Sequence, residues 1–209
     1  METEFKYRID DIRLIHEIIN DPLLDHFINR SQIEEIEMHA VYFDTEEQDL
    51  RRAGIAYRIR RENDRITATI KWAGNVENGL HSREEFNLVI NDEAFADNPN
   101  IDVFESSDAY DVLFQAAGHK PLVKTVEMDF TRQMVKVDTG LSISALSFDV
   151  GTVAGRERKS DIMEMELEWY HGNEEDFRDV ALSIADKYGL EAENASKLQR
   201  GFLEEYDGK

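Results

Sequence analysis

Glu2-Thr3-Glu4-Phe5-Lys6-Tyr7-Arg8-Ile9 opens the chain as a strict alternation of charge and bulk. Neighbouring side chains of a β-strand point to opposite faces, so Glu2, Glu4, Lys6 and Arg8 share one face and Phe5, Tyr7 and Ile9 the other. Two acids followed by two bases on one side of a strand is not an ordinary solvated face. The chain repeats the device. Arg58 and Arg60 share a face in residues 56–60, and Thr67, Thr69 and Lys71 oppose Ile66, Ala68, Ile70 and Trp72 in residues 65–72. Arg83, Glu85 and Asn87 fall together in 82–90. Glu164, Glu166 and Glu168 alternate with Met163, Met165, Leu167 and Trp169 in 162–169.

Further strands are predicted over 35–43, 122–137 and 141–150, the last carrying Asp149. In the second of these, Lys124, Val126, Met128, Phe130 and Arg132 keep one register. Helical spacing covers 10–28, with Asp10 or Asp11 as N-cap and a break at Pro22, then 46–53, 106–117, 174–188 and 196–206. Residues 75–79 read as a loop, 91–102 as irregular and 155–160 as a polar turn.

The polar faces of these strands are ordered rows of acids or bases, and the opposite faces are rich in aromatic and branched residues able to pack on helices. The expectation is an α+β protein: an eight-stranded, mostly antiparallel β-barrel, lined by charge and jacketed by helices, forming one domain over residues 1–209. The absence of β/α alternation and of a Gly-rich phosphate loop argues against a doubly wound sheet.

Composition narrows the partners. The chain has 209 residues, 41% of them apolar, enough for one well-cored domain. It contains no cysteine, so any metal must be held by oxygen or imidazole. A net charge of −21 disfavours nucleic acid and anionic membranes. No apolar run reaches membrane-spanning length and no signal peptide precedes the acidic strand, so a cytoplasmic protein is expected, a monomer or homodimer.

Burying unpaired charge is too costly unless a ligand neutralises it. Lys6, Arg8, Arg58, Arg60, Lys71, Arg83, Arg132, Lys197 and Arg200 are the interior bases, and so many converging cations fit a small polyanion carrying several phosphoryl groups. Glu2, Glu4, Glu164, Glu166 and Glu168 would repel it unless a cation intervened. Glu pairs at i, i+2 on neighbouring strands make an all-oxygen site suited to Mg²⁺ or Mn²⁺. Bases for phosphate and acids for metal point to metal-assisted phosphoryl transfer.

Glu2-x-Glu4-x-Lys6 resembles the ExExK signature of the CYTH, or triphosphate tunnel metalloenzyme, superfamily. Tyr42-Phe43-Asp44-Thr45 with Leu50-Arg51-Arg52-Ala53-Gly54-Ile55-Ala56-Tyr57-Arg58-Ile59-Arg60 resembles its YFDT…LRxxGxxLRIR block, and Thr69-Ile70-Lys71 its T-[IL]-K strand. Gly79-Leu80-His81-Ser82-Arg83-Glu84-Glu85-Phe86 is similar to the GLHxRxE segment of the bacterial inorganic triphosphatase branch. Phe148-Asp149, Glu164-x-Glu166-x-Glu168 and Ser196-Lys197-x-x-Arg200-Gly201 follow in order.

The resemblance implies a triphosphate tunnel whose members hydrolyse tripolyphosphate or thiamine triphosphate, or cyclise ATP. It assigns divalent metal to Glu2, Glu4, Glu164 and Glu166, with Asp149 and Glu168 as further donors. The triphosphate falls to the nine bases above together with Lys124. Attack by a metal-activated water in line with the terminal phosphoryl group is implied. Lys6, Lys71 and Glu85 are the catalytic candidates, with Lys71 or Glu85 orienting the water. The expected function is hydrolysis of tripolyphosphate to diphosphate and phosphate. The alternatives are a class IV type adenylyl cyclase, a thiamine triphosphatase and a non-catalytic polyphosphate-binding module. Arg51 and Arg52 read as solvated, Glu84 as outward, His16, His26 and His171 as surface, and Trp72 and Trp169 as helix-packing core. His39 and His81 are candidates for a tunnel mouth.

Overall fold

The alternating strands close on themselves. A computed structural model describes residues 1–156 and 158–202. Its strands are β1 (Glu2–Arg8), β2 (Glu34–Asp44), β3 (Ala56–Glu62), β4 (Arg65–Glu77), β5 (Leu80–Ile90), β6 (Val123–Asp138), β7 (Ser142–Ala154) and β8 (Lys159–Gly172). The hydrogen-bonded order β1-β5-β4-β3-β2-β6-β7-β8 returns to β1, and every pairing is antiparallel. Two meanders, β2–β5 and β6–β8, join through β2 and β6, and β1 seals the gap between β5 and β8. Closure gives every strand a hydrogen-bonded neighbour on both sides, β1 meeting β5 over Leu80–Arg83.

Helices cover the outside in two groups. The helices α1 (Ile12–Ile19) and α5 (Glu174–Tyr188) bury Ile15, Ile18, Phe177 and Ile184 against Phe5 and Tyr7 of β1, Leu146 and Phe148 of β7, and Met165 and Leu167 of β8. Local signals set their ends. Asp11 accepts from the Arg13 amide at 2.9 Å, Asn173 accepts from the Glu175 amide at 2.8 Å, and Gly189 takes the left-handed conformation that stops α5. The helices α2 (Asp49–Arg52), α3 (Glu93–Asp97) and α4 (Asp108–Ala117) cover β2–β5, where Phe43, Tyr57, Ile59, Ala68 and Ile70 meet Leu50, Ala96 and Leu113. Each fully buried branched or aromatic side chain contributes roughly 1.5–3 kcal/mol. Trp72 and Trp169 are packed against these two cores, as expected.

Asp44, the acid of the Tyr42–Thr45 motif, is part of this scaffold. Its carboxylate accepts from the amides of Thr45 (2.7 Å), Leu50 (2.9 Å) and Arg51 (3.0 Å), tying the end of β2 to α2. Arg51 lays its guanidinium over the Phe202 ring at 4.1 Å, and Arg52 pairs with Asp49, both on the outside.

Several boundaries differ from the expectation. The break expected at Pro22 is present, with α1 ending at Ile19, but the second piece is a 3₁₀ turn that starts at Pro22 rather than a second helix. Strand pairing continues through the expected loop to Glu77, and Asn78 and Gly79, both at positive φ, make the hairpin turn. The irregular stretch 91–102 contains α3, and β8 begins within the expected polar turn, of which residue 157 lies outside the described residues. The last helix is only α6 (Lys197–Arg200); residues 203–206 of the predicted helix lie outside the described residues.

A bulge matters most for the site. The β2–β6 register slips between Tyr42 and Phe43, so that Val126 faces Tyr42 while Lys124 faces Phe43. One extra residue in a strand turns everything beyond it to the other face. Lys124 is therefore exposed on the outside, and its expected place among the interior bases is wrong.

Candidate active site

The inner faces of the strands enclose a cavity of about 470 Å³ with three contiguous walls. Strands β3, β4 and β5 present Arg58, Arg60, Lys71 and Arg83. Strands β8 and β1 present Glu166, Glu168, Glu2 and Glu4. Between them, β2 and β6 present Met38, Tyr42, Met128, Phe130 and Met134, an apolar wall with one phenol. Charge thus lines most of the barrel, and the third wall is a small internal core built on Met38, Ala40, Tyr42, Met128 and Phe130.

On the acidic wall, register puts Glu4 directly opposite Glu168, Lys6 opposite Glu166 and Arg8 opposite Glu164. Like charges directly across a strand pair repel. Lys6 relieves part of the repulsion, lying 3.0 Å from Glu4 and in closer contact with Glu166. Burial works to lower the Lys6 pKa, but Glu166, Glu4 and Glu164 outweigh it and hold the ammonium charged. Glu168 has no ion-pair partner among the described residues. Burial first, then the charges of Glu2, Glu4 and Glu166, push its pKa up to about 7. Glu2, Glu4, Glu166 and Glu168 bring four carboxylates to this wall of the cavity, oxygen donors of the kind that Mg²⁺ or Mn²⁺ takes.

On the basic wall, Lys71 bridges both Glu2 oxygens at 2.6 Å and Glu85 at 2.7 Å. Burial opposes ionisation of Glu85, but Lys71 and Arg58 prevail and keep it a carboxylate. Arg60 pairs with Glu62 at 2.6 Å, and burial beside Arg58 lowers its pKa to about 10. Arg83 stands 3.9 Å from Glu2 and Glu4. Arg58 has no carboxylate within ion-pair distance among the described residues, only Thr69 at 3.5 Å and the Tyr42 phenol. The Nε groups of Arg58 and Arg60 are buried without a hydrogen-bond acceptor. Buried donors left unmet are costly, and these face a cavity large enough for a multiply charged anion.

Behind the acidic wall lies an ionic knot. Asp149 and Glu164 are fully buried and do not line the cavity. Arg132 binds Asp149 at 2.7 and 2.6 Å and Glu166 at 2.6 Å. Lys197 lies 2.7 Å from Asp149 and 2.8 Å from Glu166, and it and Arg200 both contact Glu164. Burial works to raise the Asp149 pKa, but Arg132 and Lys197 bring it below the ordinary carboxylate range. Asp149, Glu164 and Glu166 hold their oxygens within 4.8 Å of one another, so they could also gather a cation, though bases neutralise them as they stand.

The structure brings Glu2, Glu4, Lys6, Arg58, Arg60, Lys71, Arg83, Glu85, Arg132, Glu166, Glu168 and Lys197 to one cavity. It leaves Asp149, Glu164 and Arg200 in the knot, Arg8 at the end of β1 beside Asp10 (3.0 Å), and Lys124 outside. Glu84 is exposed, as are His16, His26 and His171, and His39 lies on the outer face 2.8 Å from Asp129. His81 is buried beneath the basic wall rather than at a mouth. Glu62, Arg65 and Tyr170 line the cavity without having been among the candidates, and Tyr42 is a further cavity residue that sequence reasoning missed. Burial opposes ionisation of its phenol, yet the combined field of Arg58, Lys71, Lys197 and Arg83 lowers its pKa. The signal was present as parity: Tyr42 alternates with Ala40 and Met38, opposite the outward Val41 and Phe43.

The CYTH domain family matches residues 1–202. An inorganic triphosphatase of Haemophilus influenzae is 29% identical over 162 residues, which cover 78% of this chain and 44% of that protein, so the chain spans less than half of that relative. A candidate adenylyl cyclase of Hippeastrum with a dominant triphosphatase activity has the same fold. It superposes with a TM-score of 0.72 at 20% identity, over 97% of this chain and 95% of that one. A candidate adenylate cyclase of Bacillus halodurans gives a TM-score of 0.58 at 17% identity, over 97% and 98% of the two chains.

Proposed function

Because the chain belongs to the CYTH domain family, we propose that it is a metal-dependent triphosphatase acting on inorganic tripolyphosphate. The observation that carries this reading is the meeting of two neighbouring walls in one cavity: a basic wall where Arg58 has no acid partner among the described residues and the Nε groups of Arg58 and Arg60 have no acceptor, and an acidic wall where Glu168 has no base. Arg58, Arg60 and Arg83 would take the phosphate oxygens as planar forks, with Lys6, Lys71, Arg132 and Lys197 adding charge. Glu2, Glu4, Glu166 and Glu168 would hold Mg²⁺ or Mn²⁺. A divalent ion there would supply Lewis-acid polarisation and charge neutralisation at the phosphate.

The remaining chemistry belongs to the chain. Fixed cations hold the triphosphate extended, so that a water on the acidic side meets the terminal phosphorus in line. The water oxygen bonds to that phosphorus as its bond to the bridging oxygen breaks, and the water's proton leaves on the phosphate products or to solvent, giving orthophosphate and diphosphate. Charge growing on the leaving oxygen is met by guanidiniums already in position. Glu85, ionised and held by Lys71, is suited to accept a hydrogen bond from the water and orient it; as a weak base it is not suited to keep the proton. One domain over 1–209, acting as a cytoplasmic monomer or homodimer, completes the reading.

A second reading, an organic triphosphate such as ATP or thiamine triphosphate, is favoured by the apolar wall of Met38, Met128, Phe130 and Met134, which inorganic phosphate does not need. Phosphate release from tripolyphosphate, ATP and thiamine triphosphate, with Mg²⁺, Mn²⁺ or EDTA, separates the two. Tripolyphosphate turnover abolished by EDTA is the expected result. Cyclic AMP from ATP would make the chain a cyclase. Tight tripolyphosphate binding without turnover would make it a binding module.

A further inference from the structure

Arg83 sits on the basic wall, and its nearest polar partner is not an acid. Its Nη2 donates to Nδ1 of His81 at 3.0 Å, while Glu2 and Glu4 stay 3.9 Å away. His81 is 1% exposed, and its Nε2 lies 2.8 Å from the carbonyl oxygen of Glu193. A carbonyl only accepts, so Nε2 carries the proton; a guanidinium only donates, so Nδ1 is bare. The two contacts select one neutral tautomer. Burial, with Lys6 and Arg83 close by, lowers the pKa of the ring to about 4, in keeping with that tautomer.

The anchor of the imidazole is fixed to the site itself. Residues 191–193 run along β1: the Arg8 amide donates to the Glu191 carbonyl at 2.8 Å and the Glu193 amide to the Lys6 carbonyl at 2.9 Å. Asn194 extends the tie by accepting from the Gly79 amide at 2.9 Å, at the turn that leads into β5. His81, on the same strand as Arg83, therefore ties that strand to the segment running along β1, the strand of Glu2, Glu4 and Lys6.

A neutral acceptor does something for Arg83 that a carboxylate cannot. It fixes the guanidinium without cancelling its charge. Without it, only a short rotation separates Arg83 from a charge-assisted pair with Glu2 or Glu4. That collapse would consume a phosphate ligand and a carboxylate of the acidic wall together.

We propose that His81 is a positioning residue that holds Arg83 away from Glu2 and Glu4, with its free N–H groups aimed at the bound phosphate. The proposal rests on the triphosphatase reading. Two substitutions split the ring's contacts: the Oδ1 of His81→Asn takes the place of Nδ1 and keeps an acceptor for Arg83, whereas His81→Gln keeps only the reach to Glu193. Steady-state kinetics on tripolyphosphate are measured for both, for Arg83→Ala, and for Arg83→Ala combined with His81→Gln.

His81→Gln is expected to raise KM by about tenfold with much less change in kcat, and His81→Asn to raise it by no more than about threefold. The Gln effect disappears in the Arg83→Ala background, because the two residues act as one unit. Calorimetric titration of tripolyphosphate in EDTA gives the same ranking without turnover. A reversed order of Asn and Gln, or KM effects that add in the double variant, overturns the proposal in favour of a structural tie to residue 193. If His81→Gln does not fold, His81→Asn decides: a KM raised tenfold in a folded protein overturns it, and a small rise supports it. A wild-type protein that neither hydrolyses nor binds tripolyphosphate fails earlier, at the triphosphatase reading, and takes this proposal with it.

Discussion

A guanidinium buried without an acid is the most informative residue in this protein. Arg58→Ala should raise KM for the triphosphate by tenfold or more while sparing the fold, since its removal also removes an unmet buried donor. Glu4→Gln should abolish metal-dependent turnover with an unchanged melting curve, and normal turnover in that variant would sink the metal assignment. His81 sets an acid limit on stability. Its pKa near 4 in the fold lies below the unfolded value near 6.5, so its contribution is complete above that value and fades as pH falls towards 4. Over that window wild type should lose up to ~1.4 kcal/mol per pH unit more than His81→Asn in paired denaturant melts. The acid and base rows were legible in the sequence because alternation alone assigns faces. Their pairing was not. Glu164 and Glu168 have the same parity, yet one is locked against Lys197 and Arg200 and the other has no base, a difference made by residues far along the chain.

At the scale of elements, turn and cap signals placed the helices well: α5 begins after Asn173 and ends at Gly189 as the spacing indicates. The bulge on β6 left no such signal, since Thr125 is an ordinary strand residue, and with it the side of Lys124 was lost. The seat of α6 is also hidden in sequence but clear in space. A Cβ on Gly155 would come within 1.9 Å of the Gly201 carbonyl, and one on Gly201 within 2.7 Å of the Val126 methyls. The two glycines let the segment carrying Lys197 and Arg200 press against the barrel. Gly155→Ala should therefore cost about 1–3 kcal/mol, lowering Tm by several degrees, and should weaken tripolyphosphate binding as Lys197 is displaced. Unchanged melting and binding would mean that this contact is not what seats α6.

The whole molecule sets strong internal cations inside a chain of net charge −21. A net charge of that sign repels the polyanion proposed as its substrate. Activity at low salt should rise as repulsion is screened, before higher salt weakens binding itself; a rate that only falls from the lowest ionic strength upward would contradict this. That the barrel closes was legible from the number of half-charged strands and the lack of β/α alternation. Which strands meet was not, because register between distant strands depends on the complete set of partners. The seam strand has a consequence in time. β1 precedes both of its partners in the chain: its neighbours are β5 and β8, and Lys6 meets Glu166 across 160 residues of chain. The two meanders can zip locally, but β1 must wait for both. Until it docks, two strand edges stand open to aggregation, and Glu2, Glu4 and Lys6 are absent from the cavity. A nascent chain of this kind acquires its chemistry in the same event that makes it safe from its neighbours.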